Sequence, residues 1–228
     1  MAVVKMEDAV KNYLVGRIEV PALRGVSLSI EKGDFAAIAG PSGSGKSTML
    51  NLFGCLDKPT GGKVFIEGHD IITMSSDQLA EVRNQHIGFI FQSFNLIPVL
   101  TAYENVEFPL ILLNKGTPKE RKHMIMDMLE AVKIADLADR KPNDMSGGQQ
   151  QRVAIARALV KTPDYVLADE PTANIDTKTG NEILNLMEEM NKIHGTTFIF
   201  STHDPKVMEH AKRLIRIRDG QIESDERK

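Results

Sequence analysis

Apolar positions along this chain change their period from segment to segment, and each period predicts a different element. In "RGVSLSI" the apolar residues Val26, Leu28 and Ile30 alternate with small polar ones, which predicts a half-buried strand. "FAAIAG" is apolar without a break and runs straight into a glycine-rich loop, as a strand buried on both faces does. "VFIEGHDI" adds a further strand after that loop. Strands clustered this early predict a β-rich part wrapped on the front of a βα core.

The middle of the chain takes up the helical period. "TAYE", Thr101 to Glu104, and "TPKE", Thr117 to Glu120, both fit the capping box, and Pro118 falls in the first turn. Behind the second box, Met124, Ile125, Met128, Leu129 and Val132 recur at helix spacing, with methionine as adaptable core filler. Strand and helix then alternate. Strand "YVLAD" precedes a helix from about Lys178 to His194, closed by Gly195. Strand "TFIFS" precedes a helix starting near Asp204 and Pro205, and "RLIRIRDGQIE" reads as a strand with a DG-type turn. There is no internal repeat, so residues 1–228 read as one unit with a helical insertion over about 93–160.

Composition narrows the classes. The chain has 228 residues, 42% of them hydrophobic, enough for a substantial core, and no low-complexity tract. A net charge of −3 makes no electrostatic case for a nucleic-acid partner. Cys55 is the single cysteine, which excludes an internal disulfide and a multi-cysteine metal site and suits a reducing compartment. The opening "MAVVKMEDAVKNY" is too charged for the apolar stretch of a secretory signal. "VEFPLILL", Val106 to Leu113, is too short to cross a bilayer, so any membrane role would run through a partner. The closing "ESDERK" reads as a solvated charge run.

The densest candidate chemistry is "GPSGSGKST", Gly40, Pro41, Ser42, Gly43, Ser44, Gly45, Lys46, Ser47 and Thr48. It satisfies the phosphate-loop pattern in full, after a strand and before a helix-compatible segment. Glycines let several backbone amides converge on one anion. Lys46 is placed to meet β- and γ-phosphates, and Ser47 to ligate Mg²⁺. The blander alternative is a Gly/Ser turn with a chance lysine, which the strand context argues against. In "YVLADEP", Asp169 ends a buried strand, where open α/β sheets bind ligands, and is read as a magnesium ligand through water. Glu170 follows, placed to polarise an attacking water. A helix N-cap is the alternative for this acidic pair, and Pro171 argues against it.

"MSGGQQQR", Met145 to Arg152, poses a puzzle. Ser146 and Gln149 form a capping box, so the plain reading is a helix start. Yet Gly147 and Gly148 weaken a first turn by about 1 kcal/mol each relative to alanine. A backbone lying flush against a phosphate would justify them. Free amides at a helix N-terminus beside a serine hydroxyl make an anion site without a lysine.

With "GPSGSGKST" before it and "LADEP" after it, "MSGGQQQR" resembles the ATP-binding subunit of ABC transporters, and the resemblance covers nearly the whole chain. It implies an α/β fold: a P-loop NTPase, RecA-like core with an N-terminal antiparallel β subdomain and an inserted α-helical subdomain. It also implies an ATP-hydrolysing subunit that uses ATP and Mg²⁺ and pairs head to tail in an ATP-dependent homodimer. Each ATP would lie between one chain's phosphate loop and the other's Ser146, Gly147, Gly148 and Gln149, with Ser146 and Gly148 on the γ-phosphate.

Further positions carry over from the same resemblance. Gln92, in "FIFQSFN", matches the glutamine that touches magnesium and senses the membrane subunit. Asp176, in "TANIDTKTG", matches the aspartate that couples the two sites across the dimer. His203, in "STHDP", matches the histidine on the γ-phosphate, and Tyr13 stands where an aromatic stacks on adenine. Alone, Gln92 would be a loop residue, His203 structural and Tyr13 packing; their order and spacing make the set specific. Met145 replaces a common leucine, and Ala173 a glycine. With Glu170 intact, active hydrolysis is expected.

"VPALRGVSLSIEKGDF", "STMLNLFGCLDKPTGG" and "FIFQSFNLIPVLTAYENVEFPL" resemble the subfamily of lipoprotein-release (LolD), macrolide-export (MacB) and cell-division (FtsE) ATPases. That implies a permease of few spans with a large external domain, contacted near Gln92 to Leu100, and a place on the cytoplasmic face of the inner membrane. The apolar run Phe94 to Leu100 has two readings, packing inside the helical subdomain or a permease groove. A signalling clamp, a solute importer and a soluble ABC ATPase remain as alternatives.

Overall fold

A computed structural model describes residues 2–228. The chain opens with β1 (Ala2–Val15) and β2 (Ile18–Glu31), a long antiparallel hairpin whose tip pairs Val15 with Ile18. Next come β3 (Phe35–Ala39), the loop 40–45 and α1 (Lys46–Phe53). β4 (Gly61–Ile66) pairs with the other edge of β1, and β5 (His69–Asp70) with β4. "VFIEGHDI" is therefore a tight hairpin and not one strand. The four strands form an antiparallel sheet in the order β2-β1-β4-β5.

α2 (Ser76–His86) leads into β6 (Ile87–Ile90), followed by irregular chain to residue 101. α3 (Ala102–Leu112), α4 (Pro118–Ala131) and α5 (Gly147–Leu159) make the helical insertion. The capping boxes predicted at Thr101, Thr117 and Ser146 all form. β7 (Tyr165–Asp169), α6 (Thr177–His194), β8 (Thr197–Thr202), the short α7 (Pro205–His210), β9 (Arg213–Arg218) and β10 (Gln221–Arg227) complete the chain.

A six-stranded sheet runs β10-β9-β3-β8-β7-β6 through the centre. β3, β6, β7, β8 and β9 are mutually parallel, and β10 closes the edge antiparallel. The apolar runs that look continuous in sequence still obey the two-residue strand period, because each face feeds its own core. Phe35, Ala37 and Ala39 pack with Val153 and Ile155 of α5 and Ile183 and Leu184 of α6. Ala36 and Ile38 pack on the opposite side with Met49, Leu52 and Phe53 of α1 and with Val4, Met6, Leu28 and Ile30 of the antiparallel sheet. The result is a layered α/β core with α1 and the antiparallel sheet on one side and α5 and α6 on the other. The C-terminal ends of β3, β7 and β8 open on the same edge of the sheet, the edge from which the site is built.

The closing residues are mostly exposed, as a solvated charge run should be, yet they are ordered. They form β10, and Arg213 bonds Asp225 through Nε and Nη2, at 2.8 and 2.6 Å. Arg213 also reaches Asp34 at 2.8 Å, in a pair only 8% exposed on either side. Alternating charges on an edge strand hide this from sequence, since their partners lie far along the chain.

No helix among the described residues is long and apolar enough to cross a membrane.

Candidate functional site

β3 delivers the chain into the loop 40–45 and α1 takes it away, so six residues must reverse direction and leave their amides pointing inward. Gly45 sits at φ 110°, and a Cβ there would lie 2.7 Å from the Ala22 carbonyl oxygen and 2.9 Å from Leu23 Cδ2. No residue with a side chain fits. α1 starts without a side-chain cap, leaving its first amides unclaimed by protein groups. Ser44 Oγ is buried with no partner. The Lys46 ammonium folds back onto the Gly40 and Pro41 carbonyls, at 2.8 and 3.0 Å. Free amides and an ammonium tethered only to its own loop suit a multiply charged anion.

This loop floors a cleft of about 670 Å³. Pro41, Ser42, Gly43, Gly45, Lys46, Ser47 and Thr48 line it, together with Tyr13, Gln92, Asp169, Glu170 and His203. Gly40 and Ser44 belong to the loop without lining the cleft. Ser47, Gln92 and Asp169 bring oxygen donors to one space, the donor set a hard ion such as Mg²⁺ prefers. Tyr13 stands on β1, with the Lys11 ammonium 5.0 Å from its ring centroid. Lys11 is in turn held by Asp57 Oδ1 at 2.6 Å.

Glu170 is the most constrained group in the cleft. β7 ends at Asp169, and the next residue adopts φ 45°, a conformation that side chains disfavour. Its amide donates to the Ser201 carbonyl at 2.9 Å, which ties the turn to β8. One carboxylate oxygen accepts from Thr202 Oγ1 at 3.1 Å. The other accepts from the His203 amide at 3.1 Å and lies 2.5 Å from His203 Nδ1. The Glu170 side chain is 14% exposed, whereas His203 is 74% exposed. A sheltered, oriented carboxylate thus sits in the cleft with an exposed imidazole beside it. Sequence reasoning missed Ser201 and Thr202. The available signal was the polar end of "TFIFST", which the β7–β8 register puts level with Asp169.

Ser146, Gly147, Gly148 and Gln149 do not line this cleft. Ser146 caps α5, with Gln149 Oε1 accepting from the Ser146 amide at 2.8 Å. The glycines have a reason within the chain that the sequence did not disclose. A Cβ on Gly148 would collide with the Thr179 methyl of α6, and one on Gly147 would lie 3.1 Å from the Asn174 carbonyl. Packing within the chain is thus a second reason for the glycines beside the phosphate, Gly148 against α6 and Gly147 against the turn before it.

Asp176 likewise has a local role, capping α6 by accepting from the Lys178 and Thr179 amides at 3.1 Å each. Hydrogen bonds from Thr179 and those amides hold its carboxyl below the usual range. It lines an adjoining cleft of about 380 Å³ that shares Glu170 and His203 with the first.

The run after Gln92 divides between its two readings. Leu96 packs against the helical core, whereas Val99 is 70% exposed. Fully buried Asn105 pins the loop: its amide nitrogen donates to the Ile97, Leu100 and Thr101 carbonyls, and its oxygen accepts from the Ile97 amide at 2.8 Å. Arg157 holds the Phe94 and Asn95 carbonyls. Gln92 itself is fixed by its carbonyl, which accepts from Asn174 at 2.8 Å, leaving its side chain in the cleft. Sequence reasoning found neither Asn105 nor Arg157.

Comparison with known proteins agrees with this geometry. Residues 23–173 match the family described as ABC transporter. An ABC transporter ATP-binding protein of Thermotoga maritima is 51% identical over 99% of this chain and 96% of its own. A macrolide export ATP-binding/permease protein, MacB of Syntrophobacter fumaroxidans, is 45% identical over 99% of this chain, which spans only about a third (32%) of that relative's length. Among solved structures, the cassette MJ0796 of Methanocaldococcus jannaschii, in a dimeric post-hydrolysis state with ADP and Pi, superposes with a TM-score of 0.90. It is 46% identical, with 98% of each chain covered.

Proposed function

Because the chain belongs to the ABC transporter family and is an ATPase cassette of it, we propose that two copies close around two ATP molecules and so drive a membrane permease of the force-transmitting type. The observation that carries this reading is the separation within one chain. The phosphate loop, Asp169, Glu170 and His203 share one cleft, and Ser146 to Gln149 stand outside it. A head-to-tail pair supplies the missing wall from the second copy.

The phosphates of ATP take the place of the Gly40 and Pro41 carbonyls on Lys46 and occupy the free amides of α1. Ser47, Gln92 and Asp169 would hold Mg²⁺, whose charge offsets that of the β- and γ-phosphates. Tyr13 is the platform for the base. Glu170 accepts the proton of the attacking water at its carboxylate, which Thr202 and His203 keep in one orientation. Ser146 and Gly148 reach the γ-phosphate in the partner copy, and Asp176 couples the two sites at the seam.

Residues 1–228 act as one cassette, with 93–160 as the helical subdomain that meets the permease near Gln92 to Leu100. The place of work is then the cytoplasmic face of the inner membrane, reached through the permease. Similarity to the ATP-binding part of MacB supports the force-transmitting type. The test is a tagged Glu170→Gln chain held in ATP and Mg²⁺ in native membranes, with co-purifying proteins identified by mass spectrometry. A permease of few spans with a large external domain is expected. A many-spanned permease, or no membrane protein, would reject the type.

A further inference from the structure

The strand that carries Tyr13 to the cleft also brings a cation to it. Lys11 lies two residues before Tyr13 on β1, the spacing that puts two side chains on one face of a strand. Lys11 is only 8% exposed, and a lysine so far from water needs partners. Its ammonium donates to Asp57 Oδ1 at 2.6 Å and to the Lys58 carbonyl at 2.8 Å, which uses two of its three donors. The same ammonium stands over the Tyr13 ring, 5.0 Å from the centroid, in a cation–π contact. One face of the ring is therefore covered, and the other is the face left for a ligand in the cleft that Tyr13 lines.

Asp57 and Lys58 belong to the loop that follows α1, and that loop stays on β1 without help from Lys11. The Thr60 amide donates to the Val10 carbonyl at 2.8 Å, and the Asn12 amide donates to Thr60 Oγ1 at 3.1 Å. At its other end, the Leu56 and Asp57 amides donate to the Asn51 carbonyl of α1, at 2.9 and 3.3 Å. Backbone bonds thus fix the loop, and the Lys11–Asp57 pair calls for another reason. Partial burial pushes the Asp57 carboxyl up. Hydrogen bonds from Lys11 and the Lys58 amide, the Lys11 charge and a weaker bond from the Tyr13 hydroxyl outweigh it and hold the carboxyl below its usual range. Ammonium, carboxylate and phenol form one cluster. α1 connects that cluster to the phosphate loop, since its start follows Gly45 and the loop beyond its end holds the ring.

We propose that Lys11, clamped by Asp57, is a positioning residue for the nucleotide: its ammonium seats one face of the Tyr13 ring and keeps the opposite face toward the cleft for the base. The proposal rests on the reading of Tyr13 as the platform for the base, and it adds what holds that platform in place. Tyr13 is followed directly by the exposed Leu14 and Val15, so little else on its own strand restrains the ring. A ring left free would have to be ordered by the nucleotide itself, and fixing it beforehand removes that cost from binding. Because the clamp reaches the ring and not the phosphate loop, its effect falls on ligands that carry a base.

The test titrates the full chain by calorimetry with ADP and with inorganic pyrophosphate, each with Mg²⁺, two diphosphates of which one has a base. Lys11→Met is expected to weaken ADP binding about five- to tenfold and to leave pyrophosphate within about twofold of the parent. Lys11→Arg, which keeps the cation, is expected to lie nearer the parent. In a Tyr13→Ala chain, Lys11→Met is expected to cost nothing further. Unchanged ADP affinity, an equal loss for both ligands, or a loss that persists without the ring would each overturn the proposal. Should Lys11→Met not fold, Asp57→Asn keeps the side-chain shape, removes the charge that clamps the ammonium, and is read on the same two ligands with the same expectation. Tyr13→Ala alone tests the reading beneath. Parent-like ADP affinity there would reject Tyr13 as the platform, whereas a loss with Tyr13→Ala and none with Lys11→Met would reject the clamp alone.

Discussion

At the scale of single residues, position and not chemical type separates the groups in the cleft. Glu170 is sheltered, strained in backbone and bonded at both oxygens, while Asp169 one residue earlier ends a strand and faces the metal donors. Replacing Glu170 by Gln keeps the shape and removes the proton acceptor. Turnover is expected to fall by ~10²–10⁴-fold with ATP affinity retained, as steady-state hydrolysis and nucleotide titration would show; unchanged turnover would reject the assignment. Gly148 allows a finer separation. Gly148→Ala drives a methyl into Thr179 and is expected to destabilise by about 1–3 kcal/mol. Thr179→Ser, which deletes that methyl, restores the melting temperature if packing is the whole reason for the glycine. If hydrolysis stays low in the stable double variant, the glycine also serves a phosphate in the partner copy.

At the scale of elements, what the sequence made legible follows from how local each cause is. "FAAIAG" and the loop after it were readable because strand, glycines and lysine are contiguous, and the capping boxes at Thr101 and Thr117 because a box spans four residues. α2 escaped notice although Ser75 and Gln78 form a box, since Leu79 is its only buried residue and no helical apolar period results. β10 was legible only at its start, behind the DG-type turn of "RLIRIRDGQIE"; the bonds of Arg213 to Asp34 and Asp225 that hold the rest join residues no local pattern connects. The Arg213 hydrogen bonds hold the Asp225 carboxyl below its usual range. A depressed carboxyl stabilises the fold above its unfolded value near ~3.9 and loses that contribution as pH falls through the folded value. Asp225→Asn is thus expected to lower the melting temperature by ~2–4 °C at neutral pH. The gap to the parent should close as the pH of the thermal scan is taken down below that window. A gap independent of pH would mean that Asp225 acts by shape and not by charge.

At the scale of the whole molecule, Ser146 to Gln149 stand outside the cleft that holds Lys46 and Glu170. In the pair proposed above, each composite site would take Lys46 and Glu170 from one chain and Ser146 with Gly148 from the other. A chain carrying Lys46→Ala and a chain carrying Ser146→Arg are therefore each expected to be inactive alone, since every site in either homodimer has one damaged wall. Mixed in equal amounts, half of the dimers are hybrids by random pairing, and each hybrid unites an intact phosphate loop with an intact Ser146 loop at one of its two sites. If sites turn over independently, mixing restores about a quarter of the parent rate. A smaller recovery accompanied by tight binding of one ATP per hybrid would mean that hydrolysis requires both sites together. No recovery of either binding or turnover would mean that Ser146 acts within its own chain, although it does not line that chain's cleft.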